Sequence, residues 1–285
     1  RILALKDIVL RSITGLIFIS LVIGSILFSS HTNGFSFGFL FLLFTILGTV
    51  EFYQLLKKQK IYPQTTIGTI LSISIFTINF LFAFRFFENS TIFLLLFPII
   101  TSIFIFELYR KQKQPFLNIA YTFLAPVFIG IPFAILNYLV ANFNGQEIVH
   151  TPNILVGFFI ILWIYDSGAY VFGVSFGKHR LFERISPKKS WEGFIGGSIV
   201  AISAANVISV FFTELRLFDW LIISAIIIVF GTFGDLVESL LKRELNIKDS
   251  GNILPGHGGI LDRFDGIFLS VPIIFAYLQI VRIDI

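Results

Sequence analysis

A run of about 20 mostly apolar residues is what an α-helix needs to cross the hydrocarbon core of a bilayer. The chain carries nine such runs, at about 12–30, 35–53, 67–84, 91–109, 116–141, 153–175, 194–213, 218–241 and 265–281. Backbone N–H and C=O groups in lipid must find partners within their own segment, so runs of this length specify helices. The expected fold class is therefore all-α, a polytopic integral membrane protein with about nine transmembrane helices. Composition agrees: 13% of residues are charged, against about 25% in ordinary soluble domains. Spans five and six contain Pro126, Pro132 and the charged Asp166, so local breaks there are tolerable only if neighbouring helices satisfy the freed backbone groups. Ser12–Phe28 is long for a signal-peptide core and lacks a small-x-small cleavage site, so it reads as a retained anchor. The chain divides into residues 1–150, carrying the first five spans, and 151–285, carrying the last four with two long loops.

Lys and Arg are retained on the cytoplasmic side in short loops. With the N-terminus inside, every one of the 21 basic residues except Arg85, Arg216 and Arg282 falls on the cytoplasmic side. The C-terminus is then outside, and the most charged loops, after spans six and eight, face the cytosol. A net charge of +4 would invite a nucleic-acid partner in a soluble protein. Here it reports topology, and no nucleic acid is expected. The absence of cysteine removes disulfide and thiolate chemistry.

Ionisable groups within a bilayer cost at least about 2.5 kcal/mol each and usually face a protein interior or a wet cavity. Glu51, Glu107, Asp166, Asp235 and Glu238 all lie toward the cytoplasmic ends of their spans, as if around one cavity. Glu51 and Glu107 read as interfacial residues pairing with Lys57 or Arg110, whereas Asp166 and Asp235 lie deeper and read as functional. Asp235, Glu238, Ser239 and Lys242 stand at i, i+3, i+4 and i+7, a single helical stripe. Seven residues is two turns, too far for Asp235 and Lys242 to pair directly.

The stripe leads into a polar stretch, Ser239 to Asp265, rich in both charges and in glycine. Mg2+ prefers oxygen ligands and keeps substrate phosphates as further ligands, and Asp262 and Asp265, one turn apart, are placed to share cations with Asp235. Lys242, Arg243, Lys248 and Arg263 suit phosphate oxygens. The glycines around His257, among them Gly258 and Gly259, let backbone N–H groups approach an anion. By itself His257 reads as a hydrogen-bonded structural histidine. No Walker A, dinucleotide or zinc-ligand pattern is present.

As a whole, the spacing Ser239-x-Leu241-Lys242-Arg243-x4-Lys248-Asp249-x-Gly251-x2-Leu254-Pro255-x-His257-Gly258-Gly259-Ile260-x-Asp262-Arg263-Phe264-Asp265 resembles the signature of the phosphatidate cytidylyltransferases, or CDP-diacylglycerol synthases. Trp163 to Tyr170 and Ser186 to Gly193 resemble the family's two shorter motifs, so the likeness covers residues 153–285. It implies transfer of the cytidylyl group of CTP to phosphatidate with release of pyrophosphate, Mg2+ as cofactor with room for a second, monovalent cation, and a homodimer in the lipids of a bacterial inner membrane. It assigns Asp235 and Asp262 to the metal, with Asp265 and Asp249 in support. Lys188, Lys189 and Ser190 are candidates for a substrate phosphate, joined by Ser239, Arg243, Lys248, His257, Gly258, Gly259 and Arg263. Asp166 and Lys242 complete the catalytic set.

Two other readings fit part of the pattern. A CTP-dependent lipid kinase, or a cytidylyltransferase for an isoprenoid lipid phosphate, would use the same metal and triphosphate site. A cation-coupled transporter would also carry intramembrane acids, but its outer loops should not be so short and so poor in charge.

Overall fold

The computed structural model describes residues 2–143, 148–247, 250–251 and 258–282, with the backbone alone for 2–11, 142, 143, 148 and 282. Helices dominate in the order α1 (Ile2–Leu27), α2 (Phe35–Lys58), α3 (Thr65–Ala83), α4 (Leu96–Tyr109), α5 (Pro115–Ala125) and α6 (Ile131–Val140). Strands β1 (Ala141–Phe143) and β2 (Ile148–His150) precede α7 (Pro152–Phe176), and β3 (Arg180–Phe182) and β4 (Ser186–Ser190) precede α8 (Trp191–Phe211). The chain continues through α9 (Leu217–Ile226), α10 (Thr232–Glu244) and α11 (Leu261–Arg282). Among the described residues, 9 helical segments are long and apolar enough to cross a membrane, from Ser12–Thr32 to Leu261–Val281. They coincide with the nine runs of the sequence.

Two spans join a pair of helices through a π turn: α5 and α6 through Pro126–Gly130, and α9 and α10 through Ile227–Gly231. The first falls where Pro126 predicts a break, since proline has no N–H to close the ladder. Span six, where a break is tolerable only on the same condition, is the continuous helix α7. A charged side chain such as Asp166 leaves the backbone ladder intact, so its cost falls on solvation and not on helix continuity. The two strand pairs are short antiparallel hairpins, β1 with β2 and β3 with β4.

The chain forms two compact units. The first comprises Arg1–His150 and Leu245–Phe264. Its centre is aromatic: Phe264, on the first turn of α11, packs against Phe44 and Phe133, each with its ring centroid 5.0 Å away, and against Phe18 at 5.6 Å. In lipid such contacts act mainly through van der Waals packing. A polar network ties α3, α4 and α5 together. Buried Glu107 accepts from Gln64 at 2.7 Å, from Arg110 at 2.8 Å and from Asn118 at 3.2 Å. The pairing expected of Glu107 with Arg110 is thus present.

The second unit comprises Thr151–Glu244 and Asp265–Ile285. Helices α7 and α8 cross where small residues meet, Ala169 and Gly173 on one and Gly193 and Gly197 on the other. Such small-xxx-small faces let two backbones approach within lipid. Trp220, fully buried, donates from its indole to the Phe212 carbonyl at 3.1 Å, and Tyr277 donates to Asp219 at 2.7 Å.

Candidate active site

The π turn before α10 rotates that helix relative to α9 and is held by one polar pair. Thr232 donates its hydroxyl to the Ile228 carbonyl at 2.6 Å, so the 2.5 Å contact between Tyr165 and Thr232 has Tyr165 as donor. Two residues further, Gly234 meets the Asp265 carbonyl so closely that a Cβ would collide with it. That approach draws α10 against α11 and brings one ligand oxygen each of Asp235, Glu238 and Asp265 within 4.8 Å of one another. Asp235 and Asp265 are partly exposed and Glu238 is only 1% exposed.

Cations of the chain meet this cluster. Lys242, one turn along α10, is 2.8 Å from Glu238, and Lys189 from strand β4 is 2.5 Å from Asp235. Ser239 donates to Asp235 at 3.1 Å, and Asp265 accepts from the Gly266 N–H at 2.7 Å. The stripe read from the sequence therefore holds its residues as expected, with Lys242 bonding its nearer acid.

The β3–β4 hairpin that carries Lys189 is fixed at both ends. Ser190 is the N-cap of α8 and its Oγ accepts from the Gly193 N–H at 3.1 Å, an arrangement that satisfies one of the orphan donors of a helix start. Glu192 accepts from the N–H groups of Lys178 and His179 and lies 2.6 Å from the His179 ring. Arg243 reaches across from α10 to donate to the Ile185 carbonyl at 3.2 Å. Lys188 is exposed on the same hairpin. Asp166 lies exposed on α7, where Ser167 and Gly168, the residues that follow it, help line an apolar groove of about 450 Å³.

In the first unit, Asp262 begins α11. Its Oδ2 accepts from the N–H groups of Ser250 and Gly259, at 3.0 and 2.9 Å, and from the Ser250 hydroxyl at 2.9 Å. Glu51, expected to pair with Lys57, instead turns to this segment. It accepts from the N–H groups of Ile260 and Leu261 and from Ser250. Gly258 and Gly259 lie in the same turn, and Arg263 is exposed. Lys248, Asp249 and His257 lie outside the described residues. Sequence reasoning left Glu238 off the ligand set although it stands on the stripe. It missed Glu51 and Ser250 because nothing local signals a contact 199 residues apart.

In this helical membrane protein, three carboxylates converge and two lysines reach them. The three carboxylates offer oxygen ligands only, which suits a hard cation such as Mg2+. The chain matches the cytidylyltransferase family over residues 9–281 and belongs to it. It is 34% identical over 245 residues to the phosphatidate cytidylyltransferase of Bacillus subtilis (strain 168), covering 83% of this chain and 89% of that protein. It is 39% identical over 166 residues to the protein of that name from Staphylococcus haemolyticus and 41% over 165 residues to that from Staphylococcus saprophyticus. The chain spans 60% of the length of these two staphylococcal relatives.

Proposed function

We propose that the chain transfers the cytidylyl group of CTP to phosphatidate, giving CDP-diacylglycerol and pyrophosphate. The observation that carries this reading is the convergence of Asp235, Glu238 and Asp265 with Lys189 and Lys242 in a chain of the cytidylyltransferase family. A phosphate oxygen of the lipid bonds to the α-phosphorus of CTP, and the bond from that phosphorus to the bridging oxygen breaks, so pyrophosphate leaves with the electron pair. Phosphatidate is already ionised at neutral pH, and no general base is needed. What remains is positioning and neutralisation of charge.

The chain's own cations do part of that work. Lys189 and Lys242 lie at the acidic cluster, from which each can turn to a phosphate oxygen, and Lys188 and Arg243 extend the positive surface. Asp235, Glu238 and Asp265 would hold the Mg2+ ion. When bound, Mg2+ would offset the charge of the triphosphate and of the departing pyrophosphate. The motif resemblance also assigns Asp262 to the metal, and it implies a monovalent cation beside Mg2+ and a homodimer. The groove between Ile160 and Val171 on α7 offers an apolar place for an acyl chain.

The distribution of Lys and Arg supports a cytoplasmic N-terminus and active site with the C-terminus outside, in a bacterial inner membrane. A reporter fused to the C-terminus and active only in the cytoplasm would contradict that sidedness. The reaction is tested with purified protein, CTP, phosphatidate and Mg2+. Stoichiometric CDP-lipid and pyrophosphate are expected. Release of CDP with a doubly phosphorylated lipid would establish the kinase reading instead, and no product across several lipid and detergent conditions would refute both.

A further inference from the structure

Among the described residues, Glu51 is an acid whose reading from the sequence the structure reverses. It sits on α2 and is only 3% exposed, yet it accepts hydrogen bonds from a segment 199 to 210 positions further along the chain. Oε2 accepts from the Ile260 N–H at 2.9 Å, and Oε1 accepts from the Leu261 N–H at 3.2 Å and from the Ser250 hydroxyl. The first N–H groups of a helix have no partner within it, so α2 supplies from a distance the cap that a local side chain usually gives. Ser250 in turn also contacts Asp262 Oδ2, at 2.9 Å. Gly259 lies between these groups, where a Cβ would strike both the Glu51 carboxylate and the Ser250 hydroxyl.

We propose that Glu51 is a positioning residue for the reaction. By fixing the N–H groups of Ile260 and Leu261 and the hydroxyl of Ser250, it sets the conformation of the Gly259–Arg263 stretch and with it the place of the Asp262 carboxylate. This rests on the proposed function, in which the motif resemblance assigns Asp262 to the metal. The geometry makes the role specific to a carboxylate. Glutamine has the same size, but its amide offers one acceptor oxygen, and its NH2 would then face a backbone N–H in a buried place. Two donors cannot satisfy each other, so the turn must move. A mere packing role would tolerate the change.

The test uses the full chain in detergent. Wild-type protein is first shown to make CDP-lipid; if it does not, the functional reading fails and not this inference. Melting temperature is then measured for Glu51→Gln, and CTP binding is titrated calorimetrically against Mg2+ in the absence of phosphatidate. The half-saturating Mg2+ concentration is expected to rise about tenfold, with kcat reduced at least tenfold, KM for phosphatidate within twofold of wild type, and a melting temperature within a few degrees. A shift in half-saturating Mg2+ of less than threefold, with kcat per folded molecule preserved, overturns the proposal whatever happens to the melting temperature. If Glu51→Gln does not fold, Ser250→Ala decides by the same threefold criterion. That change removes the link from Glu51 to Asp262 and leaves the bonds to Ile260 and Leu261 in place.

Discussion

The two units each gather carboxylates, but they satisfy them in different ways. In the first, Glu51 and Asp262 are held by four backbone N–H groups, those of Ser250, Gly259, Ile260 and Leu261, and by one hydroxyl. In the second, Asp235, Glu238 and Asp265 face one another, and two of them are matched by the ammonium groups of Lys189 and Lys242. A backbone donor is fixed by the fold and cannot leave when a ligand arrives. An ammonium on a four-carbon stem can turn from a carboxylate to a phosphate as a metal ion takes its place. The first arrangement sets shape; the second can exchange partners.

The sharpest way to break that contrast is to neutralise one acid on each side. Asp235→Asn should lower kcat by about a thousandfold, the upper range for removing one electrostatic stabiliser, while the melting temperature stays near wild type. Asp262→Asn keeps an oxygen that can accept from the Ser250 and Gly259 N–H groups, so the turn should survive. Its turnover should fall comparably if the resemblance assigns it to the metal correctly. Measured by CDP-lipid formation, an Asp262→Asn protein with near-normal kcat would leave Asp262 as a turn residue alone, and a near-normal Asp235→Asn would remove the cluster from the reaction.

Gly234→Ala probes how the exchanging cluster is brought together. The added methyl must push the Asp265 carbonyl away, because a backbone atom cannot rotate aside. Overpacking of this kind costs about 1–3 kcal/mol, and a displacement of about 1 Å at a reacting centre can cost ~100-fold in rate. The expected result is a kcat near one hundredth of wild type with a lowered melting temperature. Unchanged turnover would mean that the close approach of α10 to α11 does not set the cluster.

How much of this could be read beforehand follows from the range of each cause. The bilayer imposes a length of about 20 residues on every span, so all nine were legible from hydropathy. The Asp235–Lys242 stripe was legible because helical periodicity is local: Asp235, Glu238, Ser239 and Lys242 share a face whatever surrounds them. Contacts set by tertiary packing left no such mark. Lys189 reaches Asp235 from a hairpin 46 positions earlier, and Glu51 reaches Ile260 across 209. The π turn at Ile227–Gly231 contains no proline, so nothing in its sequence separates it from a regular helix. Pro126 did mark its counterpart.

That π turn gives the smallest effect and the finest test of the contrast. Tyr165 donates to Thr232, whose own proton is committed to the Ile228 carbonyl. The pair braces the turn that aims α10, and it touches neither lysine of the cluster. Tyr165→Phe removes one hydrogen bond, a net change of about 1 kcal/mol, and leaves the ring in place. Stability in detergent should fall by that amount, with kcat within about threefold of wild type. If the second unit tolerates exchange because its charged partners sit on long stems while its backbone is fixed, loosening the brace should cost stability before it costs turnover. A Tyr165→Phe protein that melts normally but loses kcat tenfold would reverse that order, and would assign the phenol to the reaction and not to the frame.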